Sequence, residues 1–379
     1  MKKLVSRFLA LSTLTLLNIS AFSASSTEYS SDTVIATWSA KSETEMTLSQ
    51  AKKLLNESRY PDATGNERQQ VTHFIHYQKQ KKDTLSATAL TELMVLEAKV
   101  LQGTHQFSQA AAILNTIDTT NNAAALLLLA DINIQQGNPA AAKTHCQQLV
   151  GKTSYLLAFT CMLNAEFTLN TSTATYEKLL SLEGFADKAH AEEVSDSERL
   201  WYYETLAAMA YSLDKPEATI SHLDKLSAQK LPVSALLLWS DAQLKLAQPQ
   251  RIIDRFKAMQ SASNSTSKRT FSLTSNDNGN NAGNSIDDGL LLRWAKAERQ
   301  ISLHGTEIQK QLADRMALRT WREDVSHAAQ VASYFLDIDY KPAIALKFAR
   351  LNWQAAQTRS DARLLARAES AVATSSTLN

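Results

Sequence analysis

Residues 126–149 read LLLLADINIQQGNPAAAKTHCQQL, and this stretch decides the fold. Its first half is an unbroken apolar run that ends near Gly137, a residue that accepts the left-handed conformation in which many helices end. Pro139 suits the first position of a second helix, because the N–H that proline lacks would have no partner there. Ala142, Cys146 and Leu149 then follow at the three-and-four spacing of one helix face. The stretch predicts a helical hairpin.

The same pattern recurs along the chain. Five residues serve as markers of its copies: Phe107, Pro139, Pro216, Pro249 and Pro342. Nine residues before the markers lie only small residues: Ala98, Ala130, Ala207, Ser240 and Ser333. Three residues after them lie Ala110, Ala142, Thr219, Ile252 and Ala345, and seven after them lie Leu114, Cys146, Leu223, Phe256 and Ala349. A fixed offset between residue types indicates an internal repeat. We therefore predict five copies of the hairpin.

This alternation of small and large residues resembles the tetratricopeptide repeat family. A small residue in the first helix lets the second helix approach closely, and larger apolar residues fill the space on either side. Gly137, Ala142 and Ala345 agree with the usual choices of the family, whereas Ser240 and Thr219 depart from them. The resemblance implies an all-α fold, an α-solenoid of antiparallel helix hairpins whose concave groove binds a peptide or protein. It implies neither catalysis nor a cofactor.

The chain divides into five segments. A hydrophobic fraction of 44% with nine Gly and six Pro favours helices over a turn-rich sandwich or barrel. We expect a signal peptide at 1–23, a flexible lead-in at 24–44, tetratricopeptide-like helical repeats at 45–260, a disordered Asn/Ser/Gly-rich insertion at 261–288, and C-terminal repeats with a capping helix at 289–375. Within the first set of repeats, residues 183–197 are predicted to form a connection whose charges are simply solvated.

The amino terminus has the three parts of an export signal. A basic flank ending at Arg7 precedes an apolar run from Phe8 to Ile19, and Ala21-Phe22-Ser23 is a small-x-small ending. The apolar run is short for a membrane span, although an uncleaved anchor is the alternative. No cysteine lies near the expected cut, so a lipid anchor has no residue to modify. We expect a periplasmic or secreted protein with no stable membrane insertion after cleavage.

The charge balance argues against nucleic acid as a partner. The chain has 39 Lys and Arg against 38 Asp and Glu, for a formal net charge of +1. Removal of Lys2, Lys3 and Arg7 with the signal peptide would leave 36 against 38, a net charge of −2. A near-neutral chain with interspersed charges lacks the basic patch with which proteins bind nucleic acid or an anionic membrane.

The two cysteines, Cys146 and Cys161, lie on consecutive predicted helices on either side of a turn at Gly151. Export exposes thiols to an oxidising compartment, which favours a disulfide. Counted from the turn, the two residues differ in axial position by roughly 4 to 5 Å at 1.5 Å per residue, which is marginal for bonding. A disulfide and a pair of buried thiols both remain open.

No motif points to catalysis, a cofactor or a metal. The sequence has no G-x-S-x-G, no C-x-x-C and no complete Gly-rich phosphate loop. His73 and His76 are three residues apart, but no third ligand follows at zinc-site spacing, so we expect two exposed or groove-facing imidazoles on a helix.

Recognition of another protein is therefore the expected function. Asn133, Trp201 and Gln243 lie in first helices of the repeats, away from the packing positions, and are our candidate groove contacts. The first hypothesis is a non-enzymatic, exported scaffold or adaptor in the bacterial cell envelope. The alternative is an accessory or regulatory subunit that docks a cell-wall enzyme.

Overall fold

The helices begin where the repeat markers predict. The structure is a computed structural model that describes residues 46–63, 65–188, 194–226, 231–266 and 286–377. The predicted signal peptide and lead-in lie outside these residues, as does most of the predicted insertion. The described residues belong to one unit, Lys41–Asn379. Their regular structure is helical and contains no strand, which confirms the all-α prediction.

The first nine helices are α1 Leu48–Glu57, α2 Glu67–Gln80, α3 Ala87–Gln102, α4 Phe107–Leu114, α5 Ala123–Gln135, α6 Pro139–Gln147, α7 Tyr155–Leu169, α8 Thr173–Leu180 and α9 Glu183–Lys188. The next are α10 Asp196–Ser212, α11 Pro216–Asp224, α12 Val233–Lys245, α13 Pro249–Thr266, α14 Asp288–Gln300, α15 Glu307–Arg322, α16 Ala328–Asp337, α17 Pro342–Ala355 and α18 Arg359–Thr377. Helical structure therefore extends into both ends of the range 261–288.

All five markers are the first residues of helices: Phe107, Pro139, Pro216, Pro249 and Pro342 begin α4, α6, α11, α13 and α17. The residues three and seven positions after each marker are buried, and so are those nine positions before it, except for the half-buried Ser333. The offsets read from the sequence are thus the packing positions of the helices.

The prediction for residues 183–197 is wrong in part. Residues 183–188 form α9, and two of the acidic side chains in this stretch are paired rather than simply solvated. The Lys225 ammonium lies 3.5 Å from a Glu183 carboxylate oxygen and 3.2 Å from one of Asp187. The Tyr203 hydroxyl also donates to Asp187. These contacts join the segment to α10 and to the residue that follows α11.

Most helices adjacent in sequence pack against each other, and a second set of contacts links alternate helices. We call α3, α5, α7, α10, α12, α14, α16 and α18 the first helices. Each first helix contacts the next one of this set, and each except α18 also contacts the helix that directly follows it. The hydrophobic core consists of several clusters along this series, the largest of which includes residues from α10 to α18.

Cys146 and Cys161 form a disulfide between α6 and α7. Their Cα atoms are 5.4 Å apart, within the usual range for a disulfide. Both residues are buried, in a cluster that also contains Leu126, Ala130 and Leu149. The bond thus joins two hairpins through the core.

Two contacts connect parts of the unit that are far apart in sequence. The Val233 N–H at the start of α12 donates to the Arg59 carbonyl, which lies between α1 and α2, at 2.8 Å. The Gln357 N–H, between α17 and α18, donates to the Gln135 carbonyl at the end of α5, at 2.7 Å. Ala356 is buried in the cluster formed mainly by α3, α4 and α5.

No described helix combines the length and the apolar character needed to cross a bilayer.

Candidate functional site

Polar side chains occur on the first helices at a recurring position. Lys99, Asp131 and Asp241 each lie eight residues before their marker, on α3, α5 and α12. Glu204 lies one helical turn earlier in its own copy, on α10. Arg293, on α14, pairs with Asp241. We call these five residues the polar wall, since the partners of all but Lys99 come from neighbouring first helices and from the connection between α1 and α2.

The connection between α1 and α2 meets the polar wall at Arg59. Its guanidinium lies 3.7 Å from a Glu204 carboxylate oxygen, while the Arg59 carbonyl accepts from Val233. The Ser234 hydroxyl donates to the same Glu204 carboxylate at 2.7 Å. Burial raises the pKa of Glu204, and the Ser234 hydrogen bond and Arg59 act against that rise. The carboxylate is therefore held between two helices and the connection.

Asp131 is held by amide side chains rather than by a close ion pair. Gln102 Nε2 on α3 donates to its carboxylate at 2.6 Å. Burial raises the pKa of Asp131, while hydrogen bonds from Gln102 and Gln135 and the charge of Arg59 lower it. Desolvation therefore has a larger effect on the pKa of Asp131 than its hydrogen bonds and the charge of Arg59 together.

Lys99 is positively charged, unlike Asp131 and Glu204. Its side chain is exposed, and its ammonium group makes no hydrogen bond or ion pair with the described residues. Burial by the surrounding protein lowers its pKa, and the like charges of Lys52 and Arg59 lower it further. The ammonium group is thus accessible to solvent and lies near other cations, and an anionic group of a ligand could pair with it.

Between α12 and α14, the polar wall contains a bidentate ion pair. Arg293 donates from Nε and Nη2 to the two carboxylate oxygens of Asp241, at 3.0 and 2.8 Å. Burial acts to lower the pKa of the Arg293 guanidinium, but the charge of Asp241 and its hydrogen bond to Arg293 act to raise it. The pKa is raised overall. Burial also raises the pKa of the nearby Tyr211. The charge of Asp241 raises it further, whereas those of Arg293 and of Arg363 on α18 lower it. Planar bidentate pairing fixes these side chains more firmly than a single contact would.

Of the three groove residues chosen from the sequence, one is buried and two are half-buried, like most of this wall. The Asn133 amide is half-buried and donates to the Leu129 carbonyl of its own helix at 2.8 Å. Gln243 is fully buried, and neither atom of its amide has a hydrogen-bond partner among the described residues. Trp201 is half-buried against the cluster that contains the disulfide. Contact of any of the three with a partner stays a prediction.

The sequence reasoning missed the polar wall, although a signal for it exists. Eight residues before the markers, three copies carry a charge in an otherwise apolar helix, at Lys99, Asp131 and Asp241. A charge that returns at one repeat position marks a surface shared by the copies.

The described residues contain no group of three His, Cys, Asp or Glu side chains placed to hold a metal ion. His73 and His76 are both exposed on α2, as predicted. Through its carboxylates and cations, the polar wall can accept and donate hydrogen bonds and pair with charged groups of a ligand.

No protein-family model, no characterised protein and no solved structure matches the chain.

Proposed function

We propose that the chain is an exported, non-enzymatic scaffold or adaptor of the bacterial cell envelope, built as a tetratricopeptide-like α-solenoid that binds a protein partner. The contact of each first helix with the next supports the solenoid, because a series of stacked hairpins produces this pattern. The buried Cys146–Cys161 disulfide supports export, since such bonds persist in oxidising compartments.

One observation favours recognition along the polar wall. Lys99 is exposed, has no ion-pair partner among the described residues, and lies near the like charges of Lys52 and Arg59. A carboxylate of a partner protein would form an ion pair with it and offset that repulsion. The bound segment would then extend along Asp131, Glu204 and the Asp241–Arg293 pair.

Affinity capture with charge-reversed variants tests this proposal. Tagged wild-type protein and a Lys99→Glu variant are used to capture partners from envelope extracts, and partners are identified by mass spectrometry. Lys257→Glu is the matched control, because Lys257 is an exposed lysine on α13, outside the wall. We expect Lys99→Glu to lose a partner that Lys257→Glu keeps, with unchanged melting temperatures.

The identity of that partner separates the two hypotheses. A structural assembly protein indicates an adaptor. A cell-wall enzyme whose activity changes when the chain is added to a reconstituted assay indicates an accessory subunit. Equal capture by Lys99→Glu and wild-type protein would show that the polar wall is not the binding surface.

A further inference from the structure

A second surface, formed by α15, α17 and α18, is also suited to contact another molecule. Trp321, near the end of α15, is 79% exposed, and Leu318 and Val325 beside it are 43% and 44% exposed. A lone surface leucine or valine needs no explanation, but an almost fully exposed tryptophan with apolar neighbours marks an interaction site. Tryptophan is also among the residues that contribute most to protein–protein affinity.

A groove lies along α17, which the turn that follows Trp321 contacts. It has a volume of about 410 Å³, and its apolar lining is Ala343, Leu346 and Leu351 of α17 and Val372 of α18. Lys347 and Arg350 also line it, and Lys347 bonds across to Glu323, two residues beyond Trp321, at 2.6 Å. The short helical turn Val325–His327 packs against α17. The segment that follows Trp321 therefore lies against the helix that carries the groove, and we call the groove together with Trp321 the α17 groove.

The charges around the α17 groove are mostly positive. Both charged residues that line it, Lys347 and Arg350, are basic, and Lys347 is paired with Glu323. Arg350 has no ion-pair partner among the described residues, and neither has Arg322, which is exposed at the end of α15. Unpaired cations beside an apolar groove complement a partner that combines apolar and acidic side chains.

The structure also limits how such a partner binds. The groove is bounded by helices, whose backbone groups are used within the helices, so α17 offers no edge to which a strand could add. Only side chains are available, and this favours a helix laid in a groove. Since α17 has 14 residues, a partner helix of about the same length, or about 21 Å at 1.5 Å per residue, would match it.

We propose that the α17 groove binds an amphipathic helix of a partner protein, with its apolar face against Leu346, Leu351 and Trp321 and its Asp or Glu side chains beside Arg350 and Arg322. This surface shares no residue with the polar wall. The proposal therefore does not depend on the function proposed above.

Selection from a displayed library of amphipathic peptides of about 15 residues tests the proposal. The full mature chain is the target, and the affinities of selected synthetic peptides are measured by fluorescence anisotropy. We expect enrichment of peptides with apolar residues at helical spacing and a net negative charge. Trp321→Ala and Arg350→Glu should each weaken binding about tenfold or more, and high salt should weaken it further.

Three controls keep the result specific. Tyr155→Ala removes another exposed aromatic side chain, 73% exposed on α7, and Arg251→Glu reverses an exposed charge on α13. Lys99→Glu alters the polar wall. All three should bind the selected peptides as wild-type protein does, and melting temperatures show that each variant is folded.

Enrichment of basic or unpatterned peptides, or of none, would overturn the proposal. So would peptides that bind Trp321→Ala and Arg350→Glu as tightly as wild-type protein. Self-association that rises with concentration and disappears in Trp321→Ala would assign the groove to a second copy of this chain instead.

Discussion

Ala207 shows how one small residue sets the distance between two helices. It is fully buried on α10, and the Thr219 hydroxyl on α11 donates to its carbonyl at 3.3 Å. We expect Ala207→Leu to overpack this contact and to lower the free energy of unfolding by about 1 to 3 kcal/mol. Its neighbour Ala208 is exposed on the same helix, so Ala208→Leu should change stability by about 0.5 kcal/mol or less. Urea denaturation measures both, and equal effects would contradict close packing at Ala207.

His222 should make stability depend on pH. It is buried on α11, and its Nε2 lies 2.8 Å from the Tyr176 hydroxyl. Burial lowers the pKa of His222, an effect that the charge of Glu183 opposes and that of Lys225 reinforces. A lowered pKa in the folded state means that the neutral ring stabilises the protein above about pH 6.5, the unfolded value. That stability is lost as the pH falls through the folded-state pKa.

The variant His222→Gln tests this linkage because glutamine does not ionise. Urea midpoints measured at pH 7 and pH 5 should fall less in His222→Gln than in wild-type protein. The other histidines are common to both proteins, so the difference between the two pH slopes isolates His222. Identical slopes would mean that the charge of this ring does not affect folding.

The disulfide between α6 and α7 is the covalent link between two hairpins. Its cysteines are 15 residues apart, and closure of a loop of that length is worth about 3 kcal/mol in the chain-entropy model. We expect the double variant Cys146→Ala/Cys161→Ala to lose about this much stability. A reductant in denaturant should destabilise wild-type protein and leave the double variant unchanged. If the reductant has no effect on wild-type protein, the bond is not formed in solution.

The sequence predicts the helical elements well because their signals are local. Each marker supplies a helix start, and the small and large residues at fixed offsets come from the same hairpin. The polar wall could not be placed in this way. Glu204 meets Arg59 only because residues far apart in sequence pack together, and no local pattern records that contact.

The candidate groove residues show the same limit. Asn133 and Gln243 lie six residues before their markers, where other copies carry Leu101, Ala210 and Leu336. Apolar residues at one repeat position indicate packing, and the burial of Gln243 agrees with that. Comparison of all the copies would have favoured a core position over a surface contact.

Gly137 and Gly151 adopt the same backbone conformation, but only Gly137 lies close to a distant part of the chain. Both have positive φ, at 76° and 78°. A side chain on Gly137 would lie 3.2 Å from the Gln357 Cβ, whereas one on Gly151 would meet nothing within 4 Å. Alanine at either position costs about 1 to 2 kcal/mol for the left-handed backbone. Only Gly137→Ala should cost more, because it also pushes Gln357 away.

Hydrogen exchange measures that difference directly. The Gln357 amide, which donates to Gln135, should exchange faster in Gly137→Ala and at the wild-type rate in Gly151→Ala. Equal exchange in the two variants would show that the turn after α5 does not hold the segment between α17 and α18.

The position of Ala356 has a consequence for biosynthesis. The cluster around Phe107 and Ala125 includes this residue, more than two hundred positions later in the chain. The interior of the early hairpins is therefore complete only when almost the entire polypeptide has been made, and loop closure over such a distance is slow. We expect the contact of Ala356 to form late in folding, after the local packing of the early hairpins.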